Sequence, residues 1–287
     1  MTRRVRFLLI VALLGLIAVA VVIGVVGYRQ ATAFPVVTRY DVHVPGWRAD
    51  RPLKVVFLAD IHAVLPDMPA ERVRGIVAAV NRLKPDLVLL GGDYVSVRRI
   101  KSGPVATEAA IAPLGDLRAP LGVVAVLGNH DWKRGGEAVA QALQRRGIIV
   151  LRNSAVVRGE VAVMGTDDTV TEHGNLGPAK NAMARLTRTI GGPDRFPGPV
   201  LLVAHSPAMA HFAAPYVDLT LSGHTHGGQM LPWLSRTLIE RKLGSGLSYG
   251  QHRLGGHDLI VTAGIGASIV PLRLGVPPEI VLVRLVP

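Results

Sequence analysis

Short apolar runs recur along the chain, the first five of those below ending at a glycine, an acid or an imidazole. They are Lys54–Ala59, Leu87–Leu90, Gly122–Leu127, Val161–Gly165, Val200–Ala204, Leu219–Leu221, Asp258–Thr262 and Ile280–Leu285. Runs this short, rich in Val, Leu and Ile, read as buried strands. Between the first two, Ala70–Leu83 places Val73, Ile76, Val77 and Val80 on one helical face, and Pro85 stops it. Thr107–Ile111, Gly136–Arg146 and Ala179–Thr189 read as further helices, Ile148–Leu151 and Ala155–Val157 as short strands, and Gly191–Pro199 as a loop. Strand, helix, strand, helix, strand predicts an α/β fold with a right-handed βαβαβ core. There is no internal repeat.

One run departs from this pattern. Phe7–Gly27 is apolar throughout, with Arg3, Arg4 and Arg6 before it and Arg29 after it. Its length matches a bilayer-spanning helix and exceeds the usual apolar region of a signal peptide. The arginines ahead of it favour a cytoplasmic N-terminus, with the folded domain on the outer side of the membrane. Thr2-Arg3-Arg4 and Ala31-Thr32-Ala33 offer a second reading, a cleaved export signal. Residues 1–33 are therefore expected to be an anchor or export signal, 34–52 a linker marked by Pro35, Pro45, Gly46 and Pro52, and 53–287 one domain.

Charge modifies the picture slightly. The 287 residues carry a formal +12, of which four units lie in residues 1–33, leaving +8 on the rest. That balance suits phosphate-bearing partners or an anionic membrane surface, and equally a simple aid to solubility. The basic residues are scattered without interleaved aromatics, so no nucleic-acid partner is expected. Cysteine is absent, so any metal site must use nitrogen and oxygen ligands.

Such ligands stand at the strand ends. Asp60, His62, Asp93, Asn129, His205, His224 and His226 are oxygen or imidazole donors, each following an apolar run. Ligands in α/β sheets collect outside the carboxyl ends of strands. Seven converging donors form two adjacent sites when one carboxylate bridges them. Two divalent ions ~3.5–4 Å apart hydrolyse phosphate esters, and His130 is left over as an acid for the leaving oxygen. The remaining histidines, His43, His173, His211, His252 and His257, fit no block and read as surface or core groups. Asp167-Asp168 reads as an Asx turn. The stretch from Leu231 to Lys242 mixes apolar and cationic groups, as an interfacial segment or a packed loop beside the site.

Five blocks occur in order: Asp60-x-His62, Gly92-Asp93, Gly128-Asn129-His130-Asp131, His205, and Gly223-His224-Thr225-His226. In this the chain resembles the calcineurin-like metallophosphoesterases, over nearly the whole domain. The resemblance implies a sandwich of two mixed sheets flanked by helices. It also implies one metal on Asp60, His62, Asp93 and His226, a second on Asp93, Asn129, His205 and His224, and Asp93 bridging. A metal-bridging hydroxide would attack phosphorus, with His130 as catalytic acid and Mn, Fe, Zn or Co as the ions. Gly91–Val95, Gly223–Gln229, Pro271-Leu272-Arg273 and Glu279-Ile280 look most like the bacterial membrane-anchored or exported branch. Some members of that branch cleave UDP-2,3-diacylglucosamine or other phosphodiesters, so the resemblance extends to a lipid-linked phosphate-ester substrate. Protein phosphatases of the family usually read G-D-Y-V-D-R-G; here Ser96 and Val97 replace the acid and arginine, which leaves the partner of His130 unassigned and weighs against a phosphoprotein substrate. Arg98 and Arg99 are candidates to face phosphate from that loop. A metal-holding docking module without turnover is the reading from another class.

Overall fold

The computed structural model describes residues 2–97, 105–189 and 196–287. In chain order it contains α1 (Arg3–Thr32), β1 (Val36–His43), β2 (Leu53–Leu58), α2 (Ala70–Arg82), β3 (Leu87–Leu90), α3 (Thr107–Ile111), β4 (Val123–Ala125), α4 (Asn129–Lys133) and α5 (Gly136–Gln144). The second half adds β5 (Ile149–Val150), β6 (Ser154–Arg158), β7 (Val161–Gly165), α6 (Leu176–Thr189), β8 (Val200–Val203), β9 (Leu219–Ser222), α7 (Pro232–Leu243), β10 (Gly250–Leu254), β11 (His257–Val261) and β12 (Glu279–Val286).

Two six-stranded mixed sheets result, ordered β1-β12-β2-β3-β4-β5 and β10-β11-β9-β8-β7-β6. Strand side chains alternate between faces, and here both faces are covered. Val55 and Phe57 of β2, Leu87 and Leu89 of β3, Val163 of β7, Leu201 of β8 and Leu221 of β9 share one apolar cluster between the sheets. Their neighbours Val56, Leu58, Val88 and Leu90 turn outward onto α2 and α5, through Val73, Ile76, Val77, Val139 and Leu143. Ala162, Met164, Val200 and Leu202 pack on α6 through Ala179 and Met183. Double burial is why these strands appear as continuous apolar runs. The expected α/β sandwich of two mixed sheets flanked by helices is the fold observed, and β2, β3 and β4 are parallel, as the βαβαβ reading requires.

Three segments differ from expectation. Within 34–52, expected as a linker, Val36–His43 forms β1 and pairs in parallel with β12 from Val36↔Glu279 to His43↔Val286, so the segment is an edge of the first sheet. Gly250–Leu254, unassigned from sequence, is the edge strand β10. The stretch from Leu231 to Lys242 contains a helix, α7, with no buried residue. Arg98, Arg99 and residues 191–195 of the expected 191–199 loop lie outside the described residues.

Candidate metal centre

Every sequence-selected donor lies just past the carboxyl end of a strand. Asp60 and His62 follow β2, Asp93 follows β3, Asn129 and His130 open α4 after β4, His205 follows β8, and His224 and His226 follow β9. Five of them have left-handed backbone: Asp60 (φ 56°), His62 (49°), Asp93 (57°), His224 (70°) and His226 (51°). That conformation costs a non-glycine residue on the order of 1–3 kcal/mol and persists only where surrounding packing imposes it. Its effect is to turn each side chain sharply inward. The turns also interlock: a Cβ on Gly128 would lie 2.3 Å from Asp93 Oδ1, so only glycine fits there.

The side chains meet in two groups joined by Asp93. In the first, His62 Nε2 lies 3.0 Å from His226 Nε2, and His226 Nε2 lies 3.7 Å from Asp60 Oδ1. In the second, Asn129 Oδ1 is 3.1 Å from His205 Nε2 and 3.0 Å from His224 Nδ1, with the two ring nitrogens 3.2 Å apart. Asp93 Oδ2 stands between them, 3.6 Å from His62 Nε2 and 3.4 Å from His205 Nε2. His130 adjoins both groups: its ring centroid is 4.4 Å from that of His62, and its amide donates to Asp93 Oδ1 at 2.7 Å. The structure thus brings all eight selected residues together.

This donor set fits divalent cations. Imidazole nitrogens lie 3.0–3.2 Å from one another and 3.4–3.7 Å from carboxylate oxygens, and the triads Asp60/His62/His226, His62/Asp93/His130 and Asp60/Asp93/His205 each place their donor atoms within 4.8 Å. His205 Nδ1 donates to the Gly91 carbonyl at 2.8 Å, which orients its Nε2 toward the centre, as outer hydrogen bonds do for metal-ligating histidines. In the metal-free protein protons supply the missing positive charge. Burial opposes it, but Asp93 and Asp60 push His205 up to about 10. Burial, with Asp93 nearby, raises Asp60 to about 7. Burial and the charge of His205 bring His224 down to about 4, and burial with His62 and Arg273 keeps His226 well below its ordinary value. Asp93, despite burial, is held far below the usual carboxylate range by His205, His62 and His130.

The profile of the calcineurin-like phosphoesterases matches residues 53–228, the span that carries all five blocks. The chain belongs to that family. It is 32% identical over 248 residues to a phosphodiesterase, YaeI, of Escherichia coli K12, covering 82% of this chain and 83% of that one. It is 30% identical over 267 residues to an uncharacterized metallophosphoesterase of Helicobacter pylori, where the match takes in 91% of this chain but only 66% of the relative's length. A transmembrane protein with a metallophosphoesterase domain from Danio rerio is 32% identical over 283 residues, 91% of this chain and 60% of its own. This chain's own α1, 30 residues long, is the one helix among the described residues long and apolar enough to cross a membrane. Among solved structures, a 5'-nucleotidase precursor from Thermus thermophilus aligns over 81% of this chain and 55% of its own at a TM-score of 0.42 and 16% identity, too distant to bear on the site.

Several residues around this metallophosphoesterase centre had no role from sequence. Asp131 is fully buried and accepts from the amides of Asp93 (2.7 Å), Tyr94 (2.9 Å), Val95 (3.3 Å) and Gly128 (2.9 Å), tying the turn after β4 to the turn after β3. Its place three residues into α4's opening turn, where an acid collects orphan amides, was the available signal. Val97 supplies the partner His130 lacked: its amide donates to Nδ1 at 3.1 Å. Arg273 is buried, spends its guanidinium on the carbonyls of Ala263, Gly264 and Val276, and reaches His226 Nδ1 at 3.4 Å. Asp167 accepts from Trp132 Nε1 and Arg152 Nε, and Asp168 Oδ2 closes a turn onto Thr171, as an Asx turn does.

Proposed function

We propose that the protein is a membrane-tethered, binuclear metal-dependent phosphoesterase that acts on phosphodiesters. The observation that carries this reading is the position of Asp93 Oδ2 between two donor groups. Asp60, His62, His226 and Asp93 would hold one divalent cation, and Asp93, Asn129, His205 and His224 the other. When bound, such a pair supplies Lewis acidity that acidifies water at neutral pH and offsets charge on phosphate oxygens.

His130 lines the cavity over the centre, and burial lowers its pKa. Because the Val97 amide donates to Nδ1, the neutral ring carries its proton on Nε2, and that N–H can donate to charge building on the leaving oxygen. Full proton transfer as a general acid requires a proton on Nδ1 as well, so the Val97 bond must open first.

The cavity, about 540 Å³, favours diesters. One wall is Asp93, Asn129, His130 and His224; the other includes Met230, Ile239, Ile269 and Val270. Among the described residues lining it there is no Lys or Arg to match a dianionic monoester, whereas a diester carries one charge and a second substituent for the apolar wall. The similarity to YaeI, a phosphodiesterase, agrees. The complete donor set weighs against a docking module without turnover.

The test uses the full chain in detergent, stripped of metal and resupplied with Mn²⁺. Hydrolysis of bis(p-nitrophenyl) phosphate should appear with Mn²⁺, exceed that of p-nitrophenyl phosphate, and disappear in Asp93→Asn. Turnover unchanged by chelation, or none with metal supplied, sinks the proposal. A reporter fused after Pro287 tests for the outer side of the membrane.

A further inference from the structure

The end of α1 packs on the segment that lies behind the candidate centre. Gly27 and Ala31, four residues apart on one helical face, are buried. A Cβ on Gly27 would lie 3.3 Å from Leu272 Cβ, so glycine permits the close approach, and the Arg273 amide donates to the Gly27 carbonyl at 3.0 Å. Arg273 then reaches behind His226 with its side chain. Two residues further, the Gly275 amide donates to Gln30 Oε1 at 2.9 Å, and a Cβ on Gly275 would be 3.4 Å from Pro232, the first residue of α7. The helix that leaves the membrane, the back of the metal centre and the start of α7 are therefore neighbours.

What α7 presents beside that exit is apolar. Ser235, Arg236, Ile239 and Glu240 face the domain, Arg236 by donating to the Gly227 carbonyl and stacking over Tyr249. The opposite face exposes Trp233 (72%), Leu234 (53%) and Leu238 (54%), and ends in the exposed cations Arg241 and Lys242. Across the cavity mouth Ile269 is 75% exposed. Apolar side chains, a tryptophan and terminal cations on the unburied face of a short helix form the pattern of a segment lying in a membrane interface, where Trp sits at headgroup depth and Lys and Arg meet anionic headgroups.

We infer that the outer face of α7 and Ile269 form a second, monotopic contact with the bilayer that α1 spans, holding the mouth of the metal centre against the lipid headgroups. This rests on the reading of α1 as a membrane span. It also narrows the substrate: a phosphodiester carried in that membrane reaches the site through the cavity's apolar wall without crossing water.

The chain has no cysteine, so single labels carry no background. Trp233→Cys, Leu234→Cys, Leu238→Cys and Ile269→Cys, made one at a time in the full chain, are labelled with an environment-sensitive fluorophore. Each is reconstituted in phosphatidylcholine nanodiscs with a minority of phosphatidylglycerol. Tyr216→Cys is the aqueous control: β1 carries the chain roughly 26 Å at ~3.3 Å per residue from the end of α1, and His43 at its far end lines a cleft with Pro215. Leu13→Cys reports on α1 itself. The four test labels should blue-shift, be quenched by lipids bearing a nitroxide near the headgroup, report a depth of about 5–10 Å, and resist iodide. Tyr216→Cys should show the reverse, and Leu13→Cys should be quenched by deep nitroxides. If the Leu13 label is deep while the four are open to iodide, the docking surface is wrong and the anchor stands. If the Leu13 label is not in lipid, the anchor reading itself fails. Shielding of the four from both quenchers means that protein covers α7, which also overturns the inference.

Discussion

The two sheets contribute unlike halves to the centre. The first supplies every oxygen donor, Asp60, Asp93 and Asn129, together with His62 and His130; the second supplies only imidazoles, His205, His224 and His226. Each half is frustrated alone. Asp93 raises Asp60 beyond what burial does, and His205 presses His224 down beyond what burial does. Across the interface the signs are complementary, because Asp93 and Asp60 raise His205 and His205 lowers Asp93. Asp93 already faces His62 of its own sheet, but it meets His205, and Asp60 meets His226, only when the inter-sheet core is closed, so the free energy of metal binding is also free energy of packing one sheet on the other.

The largest break in that comparison is Asp93→Asn, which removes the carboxylate whose Oδ2 lies between the two donor groups. Its kcat/KM should fall on the order of 10³-fold, and bound metal per chain, read by mass spectrometry, should fall with it. Full occupancy in the variant would mean that Asp93 joins nothing. Next comes Phe57→Ala, between the sheets, and Ile76→Ala, on α2 outside them. Both should cost several kcal/mol, about 3–5 for Phe and 2–5 for Ile, in thermal unfolding of the full chain. The comparison lies in the response to Mn²⁺: only Phe57→Ala should lose metal affinity along with stability, and equal losses would contradict the coupling. Smaller again is Asp131→Asn. It keeps the volume but replaces one acceptor oxygen by a donor facing amides, so the turns after β3 and β4 should loosen and metal affinity should fall about 10–100-fold.

How much of this was legible in the sequence follows burial. β2, β3, β8 and β9 are covered on both faces, so their apolar runs stood out and only their ends shifted by a residue or two. β1 and β10 are edge strands with mostly exposed or half-buried residues, and Pro35, Pro45 and Gly46 around β1 resembled a linker. α7 buries nothing, so it had no apolar period to find. The donors of the centre were legible because chemistry restricts them to a few residue types at strand ends. The left-handed backbone at Asp60, His62, Asp93, His224 and His226 was not, since tertiary packing imposes it against local preference. Nor was the partner of His130, because Val97 acts through a backbone amide that every residue but proline carries.

The smallest effect separates the two halves by their protons. Metal ligands must be neutral imidazoles and ionised carboxylates, so binding expels whatever protons the metal-free centre holds. At pH 7 the second sheet holds one on His205, whose value of about 10 leaves it charged, and the first holds a fraction on Asp60, which titrates near 7. The signs for stability follow. His205, raised from 6.5, stabilises the metal-free fold fully below pH 6.5 and loses that contribution as pH rises through about 10. Asp60, raised from 3.8, favours the fold only while protonated, and its contribution declines from pH 3.8 up to about 7. Titration calorimetry of Mn²⁺ in buffers of different ionisation enthalpy should therefore count about two protons released near pH 5.5 and about one near pH 8.5. His205→Gln should remove the one that persists at high pH, and Asp60→Asn the one that disappears. A count that does not change with pH would mean that Asp60 does not titrate between these values and would undo the division of labour between the sheets.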